Sequence, residues 1–167
     1  MGQVREHIGD YPAAADALAR ALGIFRRSGQ RLGEANALAD LGRARYSAGD
    51  YPAAVDVLAQ ALEIFRRIGS RDNEAWALNY YAAAIAALGE RPRALALYQQ
   101  ALAMNRELRK PDDEALSVEG IAEHHLTAGD SAQGVAYLRQ ALEIYKRLGM
   151  HANIERVQAQ LAEHEAQ

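Results

Sequence analysis

Cysteine is absent from this chain of 167 residues. Its absence excludes disulfides, thiolate catalysis and Cys-ligated zinc. Charge of one sign is also lacking: 19 Lys and Arg stand against 22 Asp and Glu, a formal net charge of -3. That near balance argues against a nucleic-acid or anionic-membrane binder working through bulk charge. No apolar run approaches the roughly 20 residues of a membrane-spanning helix, and none after Met1 reads as a signal peptide. A cytoplasmic location is the expectation. The glycines stand singly, without a phosphate-cradling loop, and there is no H-E-x-x-H and no serine in a nucleophile elbow. The chain is therefore expected not to be an enzyme and to hold no cofactor.

Proline is scarce as well, at 4 residues, whereas alanine numbers 36. Alanine is the best helix former and proline the worst, so the composition points to an all-α protein.

The chain also repeats itself. GDYPAAADALARALGIFRRSG begins at Gly9 and GDYPAAVDVLAQALEIFRRIG at Gly49, followed by related segments at Gly89 and Gly129, a constant period of 40. Residues 9–48 and 49–88 agree at 22 of 40 positions. Each unit reads as two helices. The first runs from about Tyr51 to Ile68, with Asp50 as N-cap, Pro52 tolerated in the first turn and Gly69 as the left-handed terminator. Ala54, Leu58, Ala61, Leu62 and Phe65 form its apolar stripe. The second runs from about Asp72 to Leu88 and buries Ala75, Leu78, Ala82 and Ile85. Helix pairs of this kind cannot cover their stripes alone and must stack into a solenoid.

These residues resemble the tetratricopeptide repeat. Its Ala-x3-Phe/Leu-x2-Ala pattern is met by Ala14/Leu18/Ala21, Ala54/Leu58/Ala61, Ala94/Tyr98/Ala101 and Gly134/Leu138/Ala141. Its other helix is matched by Leu38, Leu41-Gly42 and Arg45, and by Leu78, Tyr81-Ala82 and Ile85. The period of 40 exceeds the family's usual 34 or so, and the terminal proline is missing. Both departures fit the long-helix variant, similar to arrays in bacterial signal-transduction regulators. The resemblance implies one right-handed superhelical solenoid of antiparallel helix pairs over 1–167, with units starting near 9, 49, 89 and 129. Residues 1–8 overlay the second half of a helix, so the chain is expected to be a fragment of a longer protein. The polar segment 152–167 is expected to be a C-terminal capping helix.

Three polar features have plain structural explanations. His124 and His125 are adjacent and so about 100° apart on a helix; they cannot share a metal, and one is expected in a repeat interface with the other in solvent. Asp112, Asp113 and Glu114 open a predicted helix, where carboxylates favour the positive dipole end. The recurring cations Arg26-Arg27, Arg66-Arg67, Arg106 with Arg109-Lys110, and Lys146-Arg147 sit at helix C-termini, near acidic residues of the next helix. A cationic ridge for an acidic partner is the alternative.

The resemblance further implies a concave groove lined by one helix of each pair and gripping an extended peptide or partner segment. By position in the motif its candidate residues are Asn36, Asp40, Arg43, Trp76, Asn79, Tyr80, Glu119 and Glu123, with Tyr46, Ala83, Leu116, Gly120, Leu126 and Thr127 beside them. Groove positions differ between units whose scaffold positions agree, as a binding surface would. Trp76 is expected to point into the groove, Asn79 to bond a ligand's main chain, and Glu119 with Glu123 to make one end acidic. A ligand with an apolar anchor and a basic stretch would suit it. The Lys and Asn arrangement with which some relatives clamp a terminal carboxylate is missing: Ala39, Arg43, Tyr80, Leu116 and Gly120 stand there. The expected function is non-enzymatic protein–protein interaction within a larger regulatory or scaffolding protein. The alternatives are a bacterial sensor of a signalling peptide or small molecule, and self-association as a homodimer through an uncovered N-terminal face. With 17 arginines to 2 lysines, a GC-rich bacterial genome is the expected source. Neither a membrane nor nucleic acid is an expected partner.

Overall fold

A computed structural model describes residues 11–165. Among the described residues it consists of eight helices: α1 (Tyr11–Ser28), α2 (Arg31–Ser47), α3 (Tyr51–Ile68), α4 (Arg71–Ala87), α5 (Arg91–Leu108), α6 (Pro111–Thr127), α7 (Ser131–Leu148) and α8 (His151–Glu165). The expected Tyr51–Ile68 helix is found as predicted, and the helix expected from Asp72 is shifted by one residue at each end. The overlay on 1–8 lies outside the described residues.

Local chemistry sets these boundaries. The Asp50 carboxylate accepts from the Ala53 amide (3.4 Å) and Asp130 from the Gln133 amide (3.2 Å), each satisfying a free N–H of a first turn. At the other end, Gly69 (φ 73°) and Gly149 (φ 67°) adopt the left-handed conformation that returns the chain for the next helix. The third unit makes the same turn with Arg109 at φ 56°. Its side chain adds a steric cost that glycine avoids, and the repeat geometry imposes the turn regardless.

Neighbouring helices pack antiparallel along the chain, and the backbones of α2 and α4, and of α4 and α6, also approach directly. Among the described residues no such approach joins α1, α3, α5 and α7 to one another. Helices α2, α4 and α6 therefore form the inner wall of a curved solenoid, joined by α8 through the Arg156–Glu119 pair, and the odd-numbered helices form its outer wall. Two apolar clusters, one centred on Leu58, Phe65 and Leu78 and the other on Val118, Leu138 and Tyr145, share α4 and α5 and run on as one spine. All four residues expected on the buried face of α4 are at most 1% exposed.

The basic series proves to be a fastening of the repeats. Arg26 pairs with Glu34 (3.0 Å), Arg66 with Glu74 (2.7 Å) and Arg106 with Glu114 (2.9 Å), each tying the end of an outer helix to the first turn of the following inner one. The fourth unit has Ile154 in place of the glutamate, and Lys146 turns to Glu143 (2.8 Å) within its own helix. Cation, helix C-terminus and acidic first turn are satisfied together, which removes the reading of a free cationic ridge at these three positions.

Candidate groove on the inner wall

The inner wall opens as a groove of about 510 Å³. Tyr46 of α2, Tyr80 and Ala83 of α4, Leu116, Glu119 and Glu123 of α6, and Arg156, Gln160 and Glu163 of α8 line it. A smaller cavity of about 250 Å³ continues from it between Tyr51, Arg91 and His124. A chain of aromatic rings runs from behind the groove into the smaller cavity. Trp76 lies 4.9 Å from Tyr80, Tyr80 6.4 Å from Tyr46 in an edge-on arrangement, and Tyr46 5.6 Å from Tyr51. Burial raises the phenol pKa values of Tyr46 and Tyr80, so both rings are neutral through the physiological range.

Of the eight candidate residues, Asn79, Tyr80, Glu119 and Glu123 reach this groove. Asn36, Asp40, Arg43 and Trp76 form no part of the walls of either cavity. Trp76 is half-buried against the core shared by α2–α5 and backs the Tyr80 ring. Arg43 stands beside Asp40 (3.6 Å) at the surface.

Two expected roles need correction. Asn79 is 4% exposed, and its amide is engaged inside the protein. It donates to the Asp113 carbonyl (3.1 Å), and its oxygen accepts from the Ser117 hydroxyl (2.7 Å). An amide so held is not available to a ligand's main chain. Glu119 likewise accepts from the Tyr145 hydroxyl and from both terminal nitrogens of Arg156. Its charge is neutralised from α8, so the acidity expected of the Glu119–Glu123 pair rests on Glu123. That carboxylate is exposed and has no cationic partner among the described residues.

The two histidines also differ from expectation, since neither faces solvent freely. His125 stacks on Tyr137 (5.5 Å) with Nδ1 3.5 Å from Asp130, and His124 lies edge-on to His125 with Nδ1 buried. Tyr137 of α7 covers His125, while His124 borders the smaller cavity.

Sequence reasoning missed Tyr98, Leu138 and the α8 residues. Arg156, Gln160 and Glu163 lie 40 residues beyond Leu116, Gly120 and Glu123, so the repeat register would have found them had the polar last helix not been read as a cap alone. Tyr98 carries no such signal, for it comes from the outer layer.

The family profile described as tetratricopeptide repeat matches residues 1–67, 49–107 and 73–147. The chain belongs to the tetratricopeptide-repeat family. Members of this family are protein-interaction repeats. No curated protein matches the chain. Several solved structures share the fold. BtubC (BKLC) from P. vanneervenii superposes with a TM-score of 0.71 at 18% identity, over 88% of this chain and 62% of that one. Aspartyl phosphate phosphatase F from Bacillus subtilis gives 0.69 at 14%, over 81% and 38%. A kinesin light chain from Podosopora anserina with nearly identical TPR-like repeats gives 0.67 at 17%, over 95% and 88%. The repeat array thus spans less than two thirds of the first two proteins. Among its described residues no helix is long and apolar enough to cross a membrane.

Proposed function

We propose that the array is a non-enzymatic binding module that holds an extended peptide or partner segment along its inner groove, within a larger regulatory or scaffolding protein of the cytoplasm. The observation that carries this reading is the open groove itself: Tyr46, Tyr80 and Leu116 present half-buried apolar surface beside the unpaired Glu123. Rigid packing of the even-numbered helices preforms that surface, which lowers the ordering cost of association on the protein's side. Aromatic residues surrounded by polar neighbours are the usual anchors of such contacts.

A dodecapeptide phage library selected on the array, followed by fluorescence anisotropy with the selected peptides, tests the reading. Tyr80→Ala combined with Leu116→Ala is expected to weaken the selected peptides at least tenfold while circular dichroism shows unchanged helicity. Peptides that bind this double variant as they bind the wild type, or a selection that yields none, would overturn it.

A further inference from the structure

The point where the two cavities meet differs chemically from the rest of the groove. Tyr46, Ala83, Tyr98, Gly120, Glu123 and Thr127 line both. Tyr98 belongs to α5 in the outer layer and occupies the position of Leu58 and Leu138 in the flanking units. Its ring reaches the groove because residue 120 is glycine: a Cβ there would collide with the Tyr98 ring. Opposite Leu58 and Leu138, the corresponding residues are Tyr80 and Gln160. The leucine-to-tyrosine exchange is therefore matched by a large-to-glycine exchange across the helix contact, and the result is a phenol delivered through the inner wall. Tyr98 is only 7% exposed, and its hydroxyl has no hydrogen-bond partner among the described residues.

Around this phenol the field is negative. After burial, the carboxylate of Glu123 is among the charges that raise the phenol pKa values of both Tyr46 and Tyr98, so the two rings lie within its field and stay neutral. The rings of Tyr46 and Tyr80 meet at 68° and wall a corner of the larger cavity. Guanidinium groups nearby do not fill it: Arg156 is held by Glu119, Arg43 stands beside Asp40, and Arg91 lines the smaller cavity only. Electron-rich ring faces beside an unpaired carboxylate are the surroundings that attract a cation.

We propose that this junction is the seat of a lysine or arginine side chain of the bound segment, its charge against Glu123, its stem along the exposed sides of the Tyr46 and Tyr80 rings, and the Tyr98 hydroxyl accepting one of its N–H groups. The proposal rests on the groove reading and narrows it: specificity comes from one cation at this junction, and the remaining segment contributes shape. Entry is from the larger cavity, since Arg91 repels a cation from the other side.

The library-selected dodecapeptides test it. They are expected to share a lysine or arginine at one position, and its replacement by norleucine is expected to raise Kd at least tenfold on the wild-type array. On Glu123→Gln the same replacement is expected to change Kd less than threefold, because the partner charge is gone. Glu143→Gln, which makes the same change in net charge on an exposed face of α7, is expected to leave the tenfold effect intact. Groove-binding peptides without a shared cation, or an equal norleucine effect on wild type and Glu123→Gln, would overturn the seat while leaving the groove reading standing. Peptides unaffected by the Tyr80→Ala/Leu116→Ala variant would overturn both.

Discussion

Phe65 and Asn105 stand at the same place in successive repeats, 40 residues apart, yet they hold the solenoid together by opposite means. Phe65 is 1% exposed and sits in hydrocarbon with Leu58, Ala61 and Leu78. Asn105 is fully buried and donates to the Ser117 hydroxyl (3.2 Å), which donates in turn to the Asn79 oxygen (2.7 Å). The corresponding residues around Phe65 are Ala77 and Ala39. In the fourth unit the place is taken by Tyr145, whose hydroxyl reaches Glu119 and through it Arg156. One backbone geometry thus accommodates an apolar seam, an amide–hydroxyl seam and a charged one. The polar seam is the costly form, because the Asn105 oxygen has no partner among the described residues, and a buried unpaired acceptor costs about 1–3 kcal/mol. The repeat thus fixes where a side chain sits, while its neighbours 12 and 26 residues away decide what that side chain can be.

The largest expected effect lies in the apolar seam. Phe65→Ala empties a fully packed site, and a loss of about 3–5 kcal/mol is expected from urea denaturation. A loss as small as that of an exposed substitution would show that the seam collapses freely and does not hold the repeats together. A smaller effect of opposite sign is expected when the polar seam is rewritten as its apolar counterpart. Asn79→Ala, Ser117→Ala and Asn105→Phe together remove every side-chain member of the network, and a gain of about 1–3 kcal/mol follows from relieving the unpaired acceptor. Because the members share hydrogen bonds, Ser117→Ala alone is expected to destabilise, and the two results together measure the coupling.

The smallest effect is visible as a pH dependence. Asp113, at the edge of the polar seam, has its carboxyl pKa pushed up from 3.8 to about 6, first by burial and then by the charge of Asp112. A raised pKa means that the folded state binds the proton more tightly than the unfolded one. Stability conferred by this group is therefore greatest below pH 4 or so and declines as pH rises through about 6. Asp113→Asn installs the residue of the second and fourth units, Asn73 and Asn153, and is expected to abolish that part of the decline in thermal melts between these values. An unchanged profile would assign the decline to other groups.

Much of this architecture could be read along the chain. Ala54, Leu58, Ala61 and Phe65 announce a buried stripe by their spacing alone, and the period of 40 makes stacking unavoidable. Capping by Asp50 and termination by Gly69 are local chemistry and were legible for that reason. Four of the eight candidate positions, Asn79, Tyr80, Glu119 and Glu123, line the larger cavity, and the other four do not. What periodicity could not supply was the use to which each polar side chain is put. Asn79 and Glu119 occupy groove positions, but partners from other helices, Ser117 for one and Tyr145 with Arg156 for the other, turn their polar atoms to internal hydrogen bonds. Tyr98 belongs by register to the outer wall and reaches the inner one only because Gly120 lets it through. Helix and turn are set by interactions between residues a few positions apart, and for that reason they can be read along the chain. The neutralised Glu119, the engaged Asn79 amide and the Tyr98 phenol in the groove depend on contacts across 22 to 38 residues, which exist only once the solenoid has packed.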